Sequence, residues 1–154
     1  MQWNEKIDLI KQNFSADEFS IPTRDGKSIL RNIESKFIAR NRAYYDINKS
    51  NERFCNWWDN LKYSTEFSSN QDIGTILAES LEPSEHYWIA CEFEDVVYIY
   101  KATLSVATFL ISQGLTWTST FHLIHTKYHF HIGLKLDDDC IWIRKCGKTV
   151  TSMN

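Results

Sequence analysis

Up to Leu81 the apolar residues of this chain recur at helical spacing, and from His86 onward they alternate. A period of about 3.6 buries one stripe of a helix, whereas a period of two buries one face of a strand, so a helical front must pack on a sheet-forming back. In the front, Trp3, Ile7, Ile10 and Phe14 mark one stripe. Ser15-Ala16-Asp17-Glu18 has a capping-box pattern that predicts a short second turn, and IPTRDG then breaks the chain. Leu30, Ile33, Phe37 and Tyr44 mark a longer helix, with Arg31, Glu34, Ser35 and Arg42 turned outward. Ser50 can cap a third helix burying Phe54, Trp57 and Leu61. The serine-rich YSTEFSSNQ separates it from a fourth, which buries Ile73, Ile76, Leu77 and Leu81 and stops before Pro83.

In the back, HYWIACEFE alternates and VVYIYKA follows an acidic turn at Glu94-Asp95, so the two read as a hairpin. Thr103 to Gln113 is almost wholly apolar and closes at Gly114, which predicts a buried helix. FHLIHT, YHFHIGLKL and CIWIRKC are three further strands, the last two joined through Asp137-Asp138-Asp139. The expected fold is α+β: a helical N-terminal half packed on a mainly antiparallel C-terminal sheet in the order β-β-α-β-β-β. At 154 residues, with no long linker and no repeat, the chain is expected to form a single domain over residues 1–154.

Several functional classes lose ground on composition. No apolar run has the roughly 18 residues of a membrane-spanning helix, and MQWNEKIDLIKQNF lacks the apolar core of a signal peptide, which predicts a cytoplasmic protein. Cys55, Cys91, Cys140 and Cys146 show no C-x-x-C pairing and sit beside large hydrophobic residues, so reduced, mostly buried thiols are expected. The net charge of −3 is unevenly spread. From Arg24 to Arg42 six basic residues face Asp25 and Glu34, while acidic residues gather in the two turns of the back half. The basic helix over residues 27–45, with Tyr44 and Tyr45, is compatible with an RNA-binding module, against which stands a chain that is acidic overall.

HLIHTKYHFH, residues 122–131, holds four of the chain's five histidines. Alternation puts His129 and His131 on one side and Phe130, Ile132 and Leu134 on the other. With the apolar set in the core, the two histidines are expected on the more exposed face. His122 and His125, three apart, lie on opposite faces, so only one of them can join the pair in a metal site. No carboxylate is placed by sequence to orient an imidazole, which favours polar strand residues over ligands. The aspartates 137–139 lack the spacing of a calcium loop. No G-x-S-x-G, P-loop or G-x-G-x-x-G is present. The reading is of a protein that is not an enzyme and needs no cofactor.

WWDNLK, EHYWIACEFEDVVYIY and FHLIHTKYHFHIGLKLDDDCIWI together give a pattern over residues 57–143 that resembles an uncharacterised family of small bacterial proteins, similar to the immunity proteins that accompany secreted or contact-delivered toxins. The resemblance rests on hydrophobic and aromatic patterning and carries no catalytic residues. It implies a cytoplasmic antitoxin that binds a cognate protein toxin, with a nuclease among the candidates, and no nucleic acid or membrane partner. Many such toxins are basic, so Glu92, Glu94, Asp95, Asp137, Asp138 and Asp139 are the expected partner-binding carboxylates. Whether the two acidic turns share one end of the sheet is open at this point, as is the oligomeric state.

Overall fold

A computed structural model describes residues 3–22, 26–39, 57–62, 64–93, 96–114, 120–137 and 139–147. Helix α1 spans Trp3–Asn13, strand β1 Phe19–Ser20 and helix α2 Gly26–Phe37. A single 3₁₀ turn at Trp58–Asn60 precedes β2 (Thr65–Ser69) and α3 (Ile73–Ser80). The back half contains β3 (Tyr87–Phe93), β4 (Val96–Ala102), α4 (Leu104–Gly114), β5 (Thr120–His125), β6 (Phe130–Leu136) and β7 (Ile141–Gly147). The fold is α+β: the described residues form four helices and a seven-stranded sheet in the order β1-β4-β3-β5-β6-β7-β2, with every pairing antiparallel.

The predicted β-β-α-β-β-β order holds over the back half. The front half, however, is not purely helical, because it supplies both outer strands. YSTEFSSNQ, expected as a separator, contains β2, which pairs along β7 from Thr65↔Lys145 to Ser69↔Ile141. This pairing satisfies the outer backbone groups of β7, and Thr65 and Phe67 are residue types that suit a pleated strand.

Local chemistry explains most element ends. Asp72 caps α3 by accepting from the Thr75 N–H at 2.8 Å, and this bond holds its carboxyl below the ordinary value. Ser15 and Glu18 form half of a capping box, the Glu18 carboxylate accepting from the Ser15 N–H at 3.2 Å, but the segment is a turn leading into β1 and not a helix. Helix α2 ends at Phe37, because Ile38 is extended and bridges to Leu61. Ala39 N–H donates to the Asn60 carbonyl at 2.7 Å and Lys62 N–H to the Phe37 carbonyl at 2.8 Å. The expected continuation to Tyr44, the helix capped by Ser50, and Phe54 lie outside the described residues.

Both faces of the sheet are covered. One carries the larger core, where Ile7 and Ile10 of α1, Ile76 and Leu77 of α3, and Val106, Leu110 and Ile111 of α4 meet Tyr87, Ile89, Leu123, Ile132 and Ile143 of the strands. The other carries a second cluster, with Ile29, Leu30, Ile33 and Phe37 of α2, then Trp57 and Leu61, packed on Ala90, Ile99, Ile124 and Cys146. Glu34, expected outside, is buried at 4% exposure, since it lies between Ile33 and Phe37 at the margin of the α2 stripe. Cys91 and Cys146 are buried free thiols and Cys140 is a half-buried one. Among the described residues no helix is long and apolar enough to cross a membrane.

Candidate functional site

The histidine run divides into two pairs. His122 of β5 lies between Ala90 and Gly133, and His131 of β6 lies between Ile124 and Cys146, so both point to the α2 side of the sheet. They meet diagonally, His122 Nδ1 to His131 Nε2 at 2.7 Å, with the rings nearly perpendicular. Trp57 packs edge-on against both at 5.4 and 5.7 Å, and Phe37 against His131 at 5.5 Å. Burial pushes His122 down to about 3 and His131 well below the ordinary imidazole value, His122 adding to the effect on His131. Both are therefore neutral at pH 7, and one ring donates while the other accepts. His131 Nδ1 has no hydrogen-bond partner among the described residues. The hydrogen-bond network assigns the donor role to His131 Nε2, because that tautomer leaves a lone pair at Nδ1 and no stranded N–H.

This corrects the expectation that His131 lies on the more exposed face. Strand alternation marks which residues share a side, but α2 and the Trp57–Leu61 segment decide that this side is closed. A signal was present in the sequence: FHLI is apolar or aromatic-sized at every position, as befits a strand covered on both faces.

His125 and His129 form the outer pair, their rings stacked at 4.6 Å and 12°. Lys127 N–H donates to His125 Nδ1 at 3.2 Å, which places the His125 proton on Nε2, 3.6 Å from Glu85 Oε2. Burial first and His129 second hold His125 below its ordinary value, with Glu85 opposing them. His129 is exposed in the turn before β6, where Tyr128 adopts a left-handed φ of 59°. His129 and His131 thus do not share a site. Among the described residues no three His, Cys, Asp or Glu side chains are placed to hold a metal ion.

At the opposite end of the sheet the strand directions settle the question the turns raised. β3 and β6 are both antiparallel to β5 and so run the same way. Phe93 and Leu136, the last residues of these two strands, therefore lie at the same end, two strand spacings or about 10 Å apart. Glu92 is a β3 residue paired with Val97, while Glu94, Asp95 and Asp138 lie outside the described residues. Asp137 and Asp139 are exposed, and the Asp137 N–H closes its turn on the Cys140 carbonyl at 3.0 Å.

Beside this turn is an open groove lined by Trp58, Glu66, Lys135, Leu136, Asp137 and Trp142. Gly133 makes room for one wall: a Cβ there would lie 3.1 Å from the Trp58 ring. The Arg144 guanidinium lies over the same ring at 5.4 Å, donates to the Trp58 carbonyl and faces Glu66 Oε1 at 3.8 Å. Trp142 remains 38% exposed. Sequence reasoning singled out Asp137 but neither tryptophan wall, although Trp142 alternates with the buried Ile143 and so had to face away from the larger core. No family model, curated protein or solved structure matches this chain.

Proposed function

We propose that the chain is a non-enzymatic binding protein of the immunity type, which neutralises a cognate toxin in the cytosol by covering its active or substrate-binding surface. The observation that carries this reading is the groove in which Asp137 lies beside Trp58 and Trp142. An exposed Trp142 and a half-buried Trp58 next to carboxylates make an interface of the usual kind, with aromatic anchors for slow dissociation and charge for fast encounter. The strand directions support it, since Glu92, near the end of β3, then belongs to the same end of the sheet as Asp137 and Asp139. A basic toxin surface suits that end of the sheet.

No described geometry favours the two alternatives. The metal reading needs His129 and His131 together, and they are apart; the RNA reading rests on a basic helix of which residues 40–45 lie outside the described set. Bound-metal analysis of the purified protein separates the first alternative from the proposal. The decisive experiment is affinity capture in the native strain with wild type, Asp137→Lys and Trp142→Ala side by side, followed by association kinetics against ionic strength. A toxin held by wild type, recruited more slowly by Asp137→Lys and released faster by Trp142→Ala supports the reading. Equal binding by all three removes this face from the interface.

A further inference from the structure

The two edges of the sheet are finished differently. β1 is only two residues long and pairs with Lys101 and Ala102 alone of β4, whereas β2 is a full outer strand whose five residues pair with β7 on one side alone among the described strands. Its sequence, Thr65-Glu66-Phe67-Ser68-Ser69, has no proline, no lysine and one charge, which already faces Arg144. Edge strands ordinarily carry such guards because their free N–H and C=O groups template pairing with another chain. At the centre of this one stands Phe67, 41% exposed.

We propose that β2 is a self-association surface, pairing antiparallel with β2 of a second copy about a two-fold axis at Phe67. The strand is complementary to itself in that register. Phe67 meets Phe67 of the second copy, an aromatic cross-strand pair, and Thr65 meets Ser69, a hydroxyl pair, on one face. On the other face Glu66 meets Ser68, whose hydroxyl can donate to the carboxylate. No like charges stand opposite. A register centred on Glu66 would instead set two carboxylates against each other, so charge disfavours that axis, and the Phe67 axis is the one that pairs the two aromatic rings directly. A pairing five residues long buries less than the ~1,200 Å² of a stable interface, so the dimer is weak and forms only as concentration rises.

Sedimentation velocity of the full chain over a concentration series tests this, with folding of each variant checked by circular dichroism. Wild type should move from monomer toward dimer, and Phe67→Lys, which opposes two ammonium groups at the axis, should stay monomeric. Ser68→Lys sets a cation opposite Glu66 of the second copy and should tighten dimerisation roughly tenfold through two symmetry-related pairs, whereas Ser68→Glu should weaken it by a similar factor. A wild-type monomer at every concentration overturns the proposal. So does a shift in the same direction for both Ser68 variants, because that register predicts opposite signs.

Discussion

Two pairs of imidazoles from the same hairpin have different environments. His122 and His131 hydrogen-bond to each other beneath Trp57 and Phe37, while His125 and His129 stack at the margin beside Glu85. The residue type is the same, although the inner pair is nine residues apart in sequence and the outer pair four. What differs is the cover: the α2 side of the sheet is closed over the inner pair, and the outer pair sits where β5 ends and the chain turns toward β6. Burial therefore makes the inner pair a neutral structural element, while His125 is drawn down by burial and His129 and up by Glu85.

Removing the roof should have the largest effect. Trp57 is 1% exposed and touches both inner rings, so Trp57→Ala should destabilise the fold by about 3–5 kcal/mol. Water then reaches the imidazoles and their pKa values return toward the ordinary range. Urea unfolding measures the first effect, and the pH dependence of the same transition measures the second. An unchanged midpoint would mean that the roof does not close this site.

Acid should have nearly as large an effect on the intact protein. The unfolded chain protonates its histidines below about 6.5, whereas the folded chain holds His122 neutral down to about 3 and His131 likewise well below normal. Between those values the unfolded state binds more protons, so stability is fully present above pH 6.5 and falls as the pH is lowered toward 3. His122 alone, at about 1.4 kcal/mol per pH unit, loses roughly 2 kcal/mol by pH 5, and His131 adds to the loss in the same direction. Replacing both inner histidines by phenylalanine should flatten this slope, since an apolar pair has no proton to take up; His125→Gln should leave most of it. A slope that follows His125 instead would reverse the assignment.

A smaller effect separates the roof from the groove beside it. Gly133 lies under Trp58, and an added Cβ would meet that ring at 3.1 Å and Leu61 at 3.3 Å. Gly133→Ala should therefore shift the 57–61 segment by a few tenths of an ångström and destabilise by about 1 kcal/mol, the overpacking only partly offset by reduced freedom of the unfolded chain. The unfolding midpoint checks it. A stabilised variant would show that the segment yields freely.

The inner site was half legible in the sequence. Periodicity marked β3 to β7, α3 and α4, because each has one strongly apolar face or is apolar throughout. It placed His131 opposite Ile132 correctly and then assigned the wrong environment, since alternation is local while the cover comes from residues 29–38 and 57–61. β2 escaped for the converse reason: four of its five residues are exposed, so no alternation of hydrophobicity records its pairing. The groove was illegible because Trp58, Glu66, Asp137 and Trp142 come from separate segments that only the β6-β7-β2 register brings together.

The outer pair allows the finest test, one in which stability hardly changes. His129 is exposed, so His129→Gln should alter the unfolding free energy by no more than about 0.5 kcal/mol. Its electrostatic effect is nonetheless directional. His129 lowers the His125 pKa and Glu85 raises it. Removing the neighbouring imidazole should therefore move the His125 titration up, and Glu85→Gln should move it down, because the neutral amide no longer stabilises the imidazolium. Proton NMR of the His125 ring across the titration reads both shifts directly. If the two variants move it the same way, His125 is governed by burial alone and the stacked ring is a packing contact. If they move it in opposite directions, the outer histidine is set by its neighbours, whereas the inner ones are set first by the lid above them.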